Sequence, residues 1–75
     1  MWRESVTLLQ ERIIKTKDVI EQKSEHLYYI LSGKVAIGKK IVDENEFIQG
    51  KEGRSFTALQ KSSILTLEIS MERRT

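Results

Sequence analysis

The sequence predicts an all-β protein, an antiparallel sandwich or barrel of about six to eight short strands. Segments rich in β-branched and aromatic residues recur along the chain, separated by polar or glycine-containing turns roughly every eight to twelve residues. No helical segment alternates with these strands, which argues against a parallel α/β sheet. We therefore expect a single small domain over residues 1–75.

The central element is the stretch His26–Ile37, which holds two aromatic and three β-branched residues and no proline. Such residues suit a pleated, half-buried surface. A glycine inside a strand indicates a bend or a close backbone approach. We therefore expect two strand segments folded about Ser32-Gly33-Lys34, with side chains alternating between a core and an outer face.

The pattern of Ser5–Gln10 fits either a strand or the first turn of a helix. Its β-branched content and the lack of a long polar face favour a strand. The strands predicted before the central element are Ser5–Gln10, Glu11–Thr16 and Val19–Gln22. Those predicted after it are Ile41–Val42, Phe47–Ile48, Arg54–Leu59 and Ile64–Ile69.

Composition excludes several kinds of chemistry. The 75 residues include no cysteine and one histidine, His26, which excludes disulfides, thiolate nucleophiles and sites that need two imidazoles. The net charge of +2 comes from interspersed acids and bases, a pattern that indicates a solvated surface and no specific nucleic-acid binding. Residues 71–75 are locally basic and are predicted as either a frayed tail or a binding arm.

A chain this short lies near the lower limit for one apolar core, so self-association as a homodimer is expected. The barrel either closes within one chain or borrows a strand from a neighbour. Trp2, near the terminus, and Tyr29, which must face away from Tyr28, are the predicted interface residues. No apolar run approaches the ~20 residues of a membrane span. The N-terminus lacks a secretory pattern, and a cytoplasmic protein is expected.

From Lys17 to Ile69 the sequence resembles the cupin superfamily, whose fold is a small double-stranded β-helix, or jelly roll. Tyr28–Val35 is similar to the end of the first cupin motif, Gly50–Leu59 to the second motif, and Ser62–Leu67 to the closing strand. The first of these stretches also resembles the core of cyclic-nucleotide-binding domains. The resemblance implies a jelly roll and a ligand site at the mouth of the barrel.

The metal-binding residues of that superfamily are not reproduced. Its motif glutamate falls at His26, its paired histidines fall near Val19 and Glu21, and its last histidine falls at Arg54, which cannot ligate a metal ion. Too few ligands remain for a catalytic metal, so no metal and no cofactor are predicted. The segment from Phe47 to Arg54 is also too short for the phosphate-binding helix of cyclic-nucleotide-binding domains.

The predicted function is non-catalytic binding of a small anionic, nucleotide-like molecule at the barrel mouth. The predicted ligand-binding residues are His26, Tyr28, Arg54, Glu21, Lys23 and Ser55. Alternatively, His26 is a hydrogen-bonded rim residue and Arg54 pairs with Glu52 or Glu46. Two further functions stay open: a structural or protein-interaction homo-oligomer without a small ligand, and, more remotely, a metal-independent isomerase or lyase using His26 with Tyr28.

Overall fold

The computed structural model describes the backbone of residues 2–73 and the side chains of residues 5–70. Over this range the protein is all-β, with eight strands and no helix. It therefore contains no helix of the length and apolarity that crossing a bilayer requires. The strands are β1 (Trp2–Ile14), β2 (Val19–Glu21), β3 (His26–Ser32), β4 (Lys34–Ile37), β5 (Lys40–Asp43), β6 (Phe47–Gln49), β7 (Ser55–Ala58) and β8 (Ser62–Arg73).

The strands form two four-stranded sheets in which every paired neighbour is antiparallel. Sheet 1 has the order β1-β8-β3-β6, and sheet 2 has the order β2-β7-β4-β5. The pairs are nested along the chain: β4 pairs with β5, β3 with β6, β2 with β7 and β1 with β8. Each sheet has two edge strands, β1 and β6 in sheet 1 and β2 and β5 in sheet 2.

The stretch His26–Ile37 forms two strand segments that meet at Gly33, as predicted. Gly33 has a φ of 100°, a backbone conformation that L side chains rarely adopt. At this bend the chain passes from sheet 1 to sheet 2, so β3 and β4 are not hydrogen-bonded neighbours. The buried Ser62 hydroxyl accepts a hydrogen bond from the Lys34 N–H at 3.1 Å and so holds the bend against the start of β8.

The predicted division between Ser5–Gln10 and Glu11–Thr16 is wrong, because a single strand, β1, runs through both segments and ends at Ile14. The register of β1 against β8 shifts between Leu8 and Gln10. This bulge inserts one extra residue and so interrupts the alternation of side chains along the strand. In the sequence pattern, that interruption looks like a boundary between two strands. At the other end, β8 continues through Arg73, opposite Trp2, while Arg74 and Thr75 of the predicted tail lie outside the described residues.

The core lies between the two sheets. Tyr28, Ile30 and Ile64 occupy alternate positions on neighbouring strands of sheet 1 and are at most 3% exposed. The Tyr28 ring meets the Phe56 ring of sheet 2 edge-on, with centroids 5.3 Å apart, a preferred aromatic geometry. The buried hydrophobic residues are Ile14, Ile20, Tyr28, Ile30, Val35, Val42, Ile48, Phe56, Ala58 and Ile64.

Candidate functional site

Two connections pack together at one end of the sandwich. They are residues 22–25, between β2 and β3, and residues 50–54, between β6 and β7. Gln22 N–H donates to the Arg54 carbonyl at 2.8 Å, and Gly50 N–H donates to the His26 carbonyl at 2.7 Å. A Cβ on Gly50 would collide with the backbone carbonyls of Lys23 and His26. Glycine at this position therefore allows the two connections to approach closely.

A cleft of about 330 Å³, here called the loop cleft, lies between these two connections. It brings together four of the six predicted ligand-binding residues, Glu21, Lys23, Arg54 and Ser55. Glu21 and Ser55 are also opposite each other in the pairing of β2 with β7. Because Glu21 and Glu52 offset Lys23 and Arg54, the loop cleft carries no excess of positive charge.

The other two predicted residues, His26 and Tyr28, lie in a smaller cleft of about 140 Å³, here called the histidine cleft. This cleft shares Glu21 and Lys23 with the loop cleft but does not include Arg54. His26 Nε2 lies 4.0 Å from Glu68 Oε2. The single cluster expected from the sequence is therefore divided between two clefts.

Tyr28 belongs to the core more than to a barrel mouth. It is 3% exposed, and its hydroxyl accepts a hydrogen bond from the Lys23 N–H at 3.0 Å. The sequence placed Tyr28 with His26 and Ile30 on one side of the strand, and that side faces the opposite sheet. The ring thus packs the sandwich while its hydroxyl supports the loop at Lys23.

A third cleft, here called the cationic cleft, opens between the edge strands β5 and β6 and has a volume of about 260 Å³. Three cationic side chains line it, those of Lys40, Lys51 and Arg54, and no carboxylate does. The other lining residues are Gln22, Ile37, Val42, Phe47, Ile48 and Gln49. The cleft therefore combines positive charge with an apolar floor, since Val42 and Ile48 are core residues.

Arg54 lies between the two larger clefts and lines both. The sequence left open a pairing with Glu52 or Glu46, but Glu52 accepts a hydrogen bond from the Ser24 hydroxyl, and Glu46 accepts one from the Asp43 N–H. Among the described side chains, the salt bridges are His26–Glu68 and Lys34–Asp43. The Arg54 guanidinium therefore forms no salt bridge with a described carboxylate, and its donors are available to an anion.

Gln22 also lines both larger clefts and is 6% exposed. Its Oε1 accepts a hydrogen bond from the Lys51 N–H at 3.2 Å. Its Nε2 is buried and has no hydrogen-bond partner among the described residues. Leaving such a donor unpaired costs about 1–3 kcal/mol, so an acceptor placed beside it would be stabilising.

The outer face of sheet 1 is apolar across all four strands. Because Tyr28, Ile30 and Ile64 point into the core, their strand neighbours point outward. Val6 of β1 lies opposite Ile69 of β8, and Leu8 lies opposite Leu67. The two β1 residues are each more than half exposed. The apolar outward residues are Val6, Leu8, Ile13, Leu27, Tyr29, Phe47, Leu65, Leu67 and Ile69.

Of the two predicted interface residues, Tyr29 lies on this outer face. Its ring packs on Phe47 with centroids 4.6 Å apart, and its hydroxyl donates to Asn45 Oδ1 at 2.8 Å. Trp2 lies in β1 by its backbone, but its side chain is outside the described residues. Tyr29 thus faces away from Tyr28 as predicted, and its role at an interface stays a prediction.

The residues that sequence reasoning missed are Gln22, Lys40 and Lys51. Lys40 begins β5 and Lys51 follows β6, so 10 residues of chain separate two side chains that line one cleft. The glycines at positions 50 and 53 marked the second loop, but no local pattern placed Lys40 beside it. Within the described residues, no group of three or more His, Cys, Asp or Glu side chains converges as metal ligands would.

Comparison with known proteins assigns no family or function to these clefts. No family model, no curated protein and no solved structure matches the chain significantly.

Proposed function

We propose that this chain is a non-catalytic module that binds a small anionic molecule at the end of the sandwich where the three clefts lie. The fold proposed for it is a cupin-like jelly roll. The nested strand pairs, β4 with β5 outward to β1 with β8, support this fold, since a jelly roll is an eight-stranded double sheet of this kind.

The observation that carries the function is the position of Arg54. Arg54 lines both larger clefts, its guanidinium forms no salt bridge with a described carboxylate, and it shares one cleft with Lys40 and Lys51 and the other with Lys23. Converging cations beside an apolar floor are how proteins commonly hold small anions. Tyr28 is 3% exposed and its hydroxyl accepts a hydrogen bond from the Lys23 N–H, so it supports the loop that carries Lys23.

The test is a titration of the ¹⁵N-labelled protein with adenosine 5′-monophosphate and with inorganic phosphate, followed by amide chemical shifts. We expect shifts at residues 22 and 50–55, and about tenfold weaker binding in Arg54→Gln, because one charged donor is lost. Lys39→Gln, in an exposed turn outside the three clefts, is the matched control. No shift with either anion at millimolar concentration, or equal losses in the two variants, would refute anion binding.

The apolar outer face of sheet 1 favours a second candidate function, self-association through that face. Among its described positions one is charged, Glu11, which lies opposite Leu65. A face with so little charge is complementary to a copy of itself, as a twofold interface requires. Three strands at ~4.8 Å spacing over the ~23 Å from Val6 to Ile13, with the short edge strand β6 adding ~10 Å of length, give a projected area of roughly 380 Å².

The accessible area of a corrugated sheet is larger than its projection, which brings this face towards the ~800 Å² per partner of a stable complex. Two copies packed face to face would place the sheets about 10 Å apart. We expect Leu8→Lys to abolish the dimer, because the charge would be buried. Sedimentation equilibrium measures this directly.

Thr7→Lys is the matched control, because Thr7 lies opposite Glu68 on the other side of the same strand. It should leave the dimer intact. A wild-type chain that stays monomeric at millimolar concentration would refute this second function, and so would a dimer unaffected by Leu8→Lys.

A further inference from the structure

We infer that the ligand of this module is a small aromatic anion held in the cationic cleft, rather than a simple anion held in the loop cleft. This inference rests on the proposed function and specifies which cleft is used and which chemical class is bound. Four observations on the cationic cleft support it.

The first observation is the charge difference between the clefts. The loop cleft offsets Lys23 and Arg54 with Glu21 and Glu52. The cationic cleft adds Lys40 and Lys51 to the same Arg54 and has no lining carboxylate. Since opposite charges stabilise a bound anion and like charges repel it, an anion in contact with Arg54 is favoured on the cationic side.

The second observation is the apolar lining. Val42 and Ile48 are 2% and 4% exposed and form the floor, with Ile37 packed against the same core. Phe47 lies at the rim of the cleft, where it is 57% exposed and its ring packs on Tyr29 on the outer face of sheet 1. An aromatic ring that is supported on one side and exposed on the other offers a platform on which a planar ligand can stack.

The third observation is the amide of Gln22. Because the Lys51 N–H occupies its Oε1, the side chain is held in one orientation and its Nε2 remains without an acceptor among the described residues. A buried, unpaired donor at a wall shared with three cations is suited to an oxygen of a phosphate or carboxylate group.

The fourth observation is size. The cationic cleft measures about 260 Å³, and a cavity of about 150 Å³ accommodates benzene. The cleft therefore has room for one aromatic ring with an anionic substituent. The ligand class is thus a single-ring or compact heterocyclic phosphate or carboxylate.

The experiment compares phenyl phosphate with inorganic phosphate by isothermal titration calorimetry at low ionic strength. We expect wild-type protein to bind phenyl phosphate about tenfold more tightly than phosphate, because the ring adds apolar burial. Phe47→Ala should reduce that ratio towards one. Equal affinities for the two probes in the wild type would overturn the aromatic part of the inference while leaving anion binding intact.

Two lysine variants decide between the clefts. Lys40 lines only the cationic cleft of the two, whereas Lys23 lines only the loop cleft. We expect Lys40→Gln to weaken phenyl phosphate binding about tenfold and Lys23→Gln to change it less than about twofold. The opposite pattern would overturn the cleft assignment, while loss of binding in Arg54→Gln would still support the proposed function. If neither probe binds the wild type, the proposed function itself fails.

Discussion

At the scale of single residues, the contact of Gly33 with Ser62 determines how the chain changes sheets. Gly33 has a φ of 100°, and a Cβ on it would lie 2.6 Å from the Cα of Ser62. Because that neighbour is a backbone atom inside β8, it cannot rotate away as a flexible side chain would. The Ser62 hydroxyl also holds the other side of the bend, because it accepts a hydrogen bond from the Lys34 N–H. The same hydroxyl donates to the Gln60 carbonyl. The position therefore requires both the freedom and the small size of glycine.

We expect Gly33→Ala to lower the free energy of unfolding by about 2–4 kcal/mol, the sum of a left-handed backbone penalty and a collision with backbone. Gly38→Ala is the matched control. Gly38 also has a positive φ, 56°, but a Cβ there would meet no atom within 4 Å, so its cost should be about 1 kcal/mol. Urea unfolding followed by circular dichroism measures both. Equal losses would show that the Ser62 contact does not control the bend.

At the scale of elements, β1 and β8 extend beyond the rest of sheet 1 as a two-stranded ribbon. The pairing of β8 with β3 ends at Glu68 opposite His26, whereas its pairing with β1 continues to Arg73 opposite Trp2. This ribbon accounts for the elongated dimensions of 46 × 21 × 16 Å. Of the described β1 side chains only Ile14 is buried. A two-stranded ribbon without a packed face is marginally stable in water.

We therefore predict that the amides of residues 2–6 and 70–73 exchange with solvent about 100-fold or more faster than those of β3. Hydrogen exchange by NMR in dilute protein tests this prediction. Under the second candidate function, protection of the ribbon should rise with protein concentration as the outer face becomes covered. Equal protection of ribbon and core in a monomer would contradict the prediction.

At the scale of the whole molecule, the nested pairing places the two ends of the chain next to each other. Among the described strands, only β4 and β5 form a tight hairpin, through the turn at Gly38 and Lys39. The strands β1 and β8, which also pair, are the first and the last in the sequence. Closing long loops costs more entropy than closing short ones. Folding dominated by such remote pairings takes milliseconds to seconds. The central hairpin is therefore the expected nucleus.

Two core substitutions test this order of events by stopped-flow kinetics. Val42→Ala, in the β4–β5 hairpin, should mainly slow folding, whereas Ile14→Val, at the end of β1, should mainly speed unfolding. Both side chains are at most 2% exposed, so each change should cost more than ~0.6 kcal/mol, enough to interpret. The reverse pattern would indicate that the β1–β8 pairing forms first.

For much of the candidate site, the sequence predicted which residues take part but not how they are arranged. Glu21 and Arg54 were predicted from the positions that metal-binding residues take in the cupin resemblance, with Lys23 and Ser55 as their neighbours, and all four line the loop cleft. Arg54 was not placed with Lys40, because Lys40 begins β5 and Arg54 lies in the connection between β6 and β7, and these segments meet only after the sheets have formed. The unpaired amide of Gln22 was not expected, because burial of that residue follows from the packing of the second loop against it.

The amino-acid pattern was enough to predict an all-β chain, the bounds of most strands to within one residue, and the shared side of Tyr28 and Ile30 on β3. These features depend on alternation and turn residues over a few neighbouring positions, which are local properties of the chain. The folded chain was needed to show that β1 is one bulged strand, that Gly33 switches sheets, and that one cleft gathers three cations. Those features depend on the register and packing of strands far apart in sequence, which no local pattern specifies.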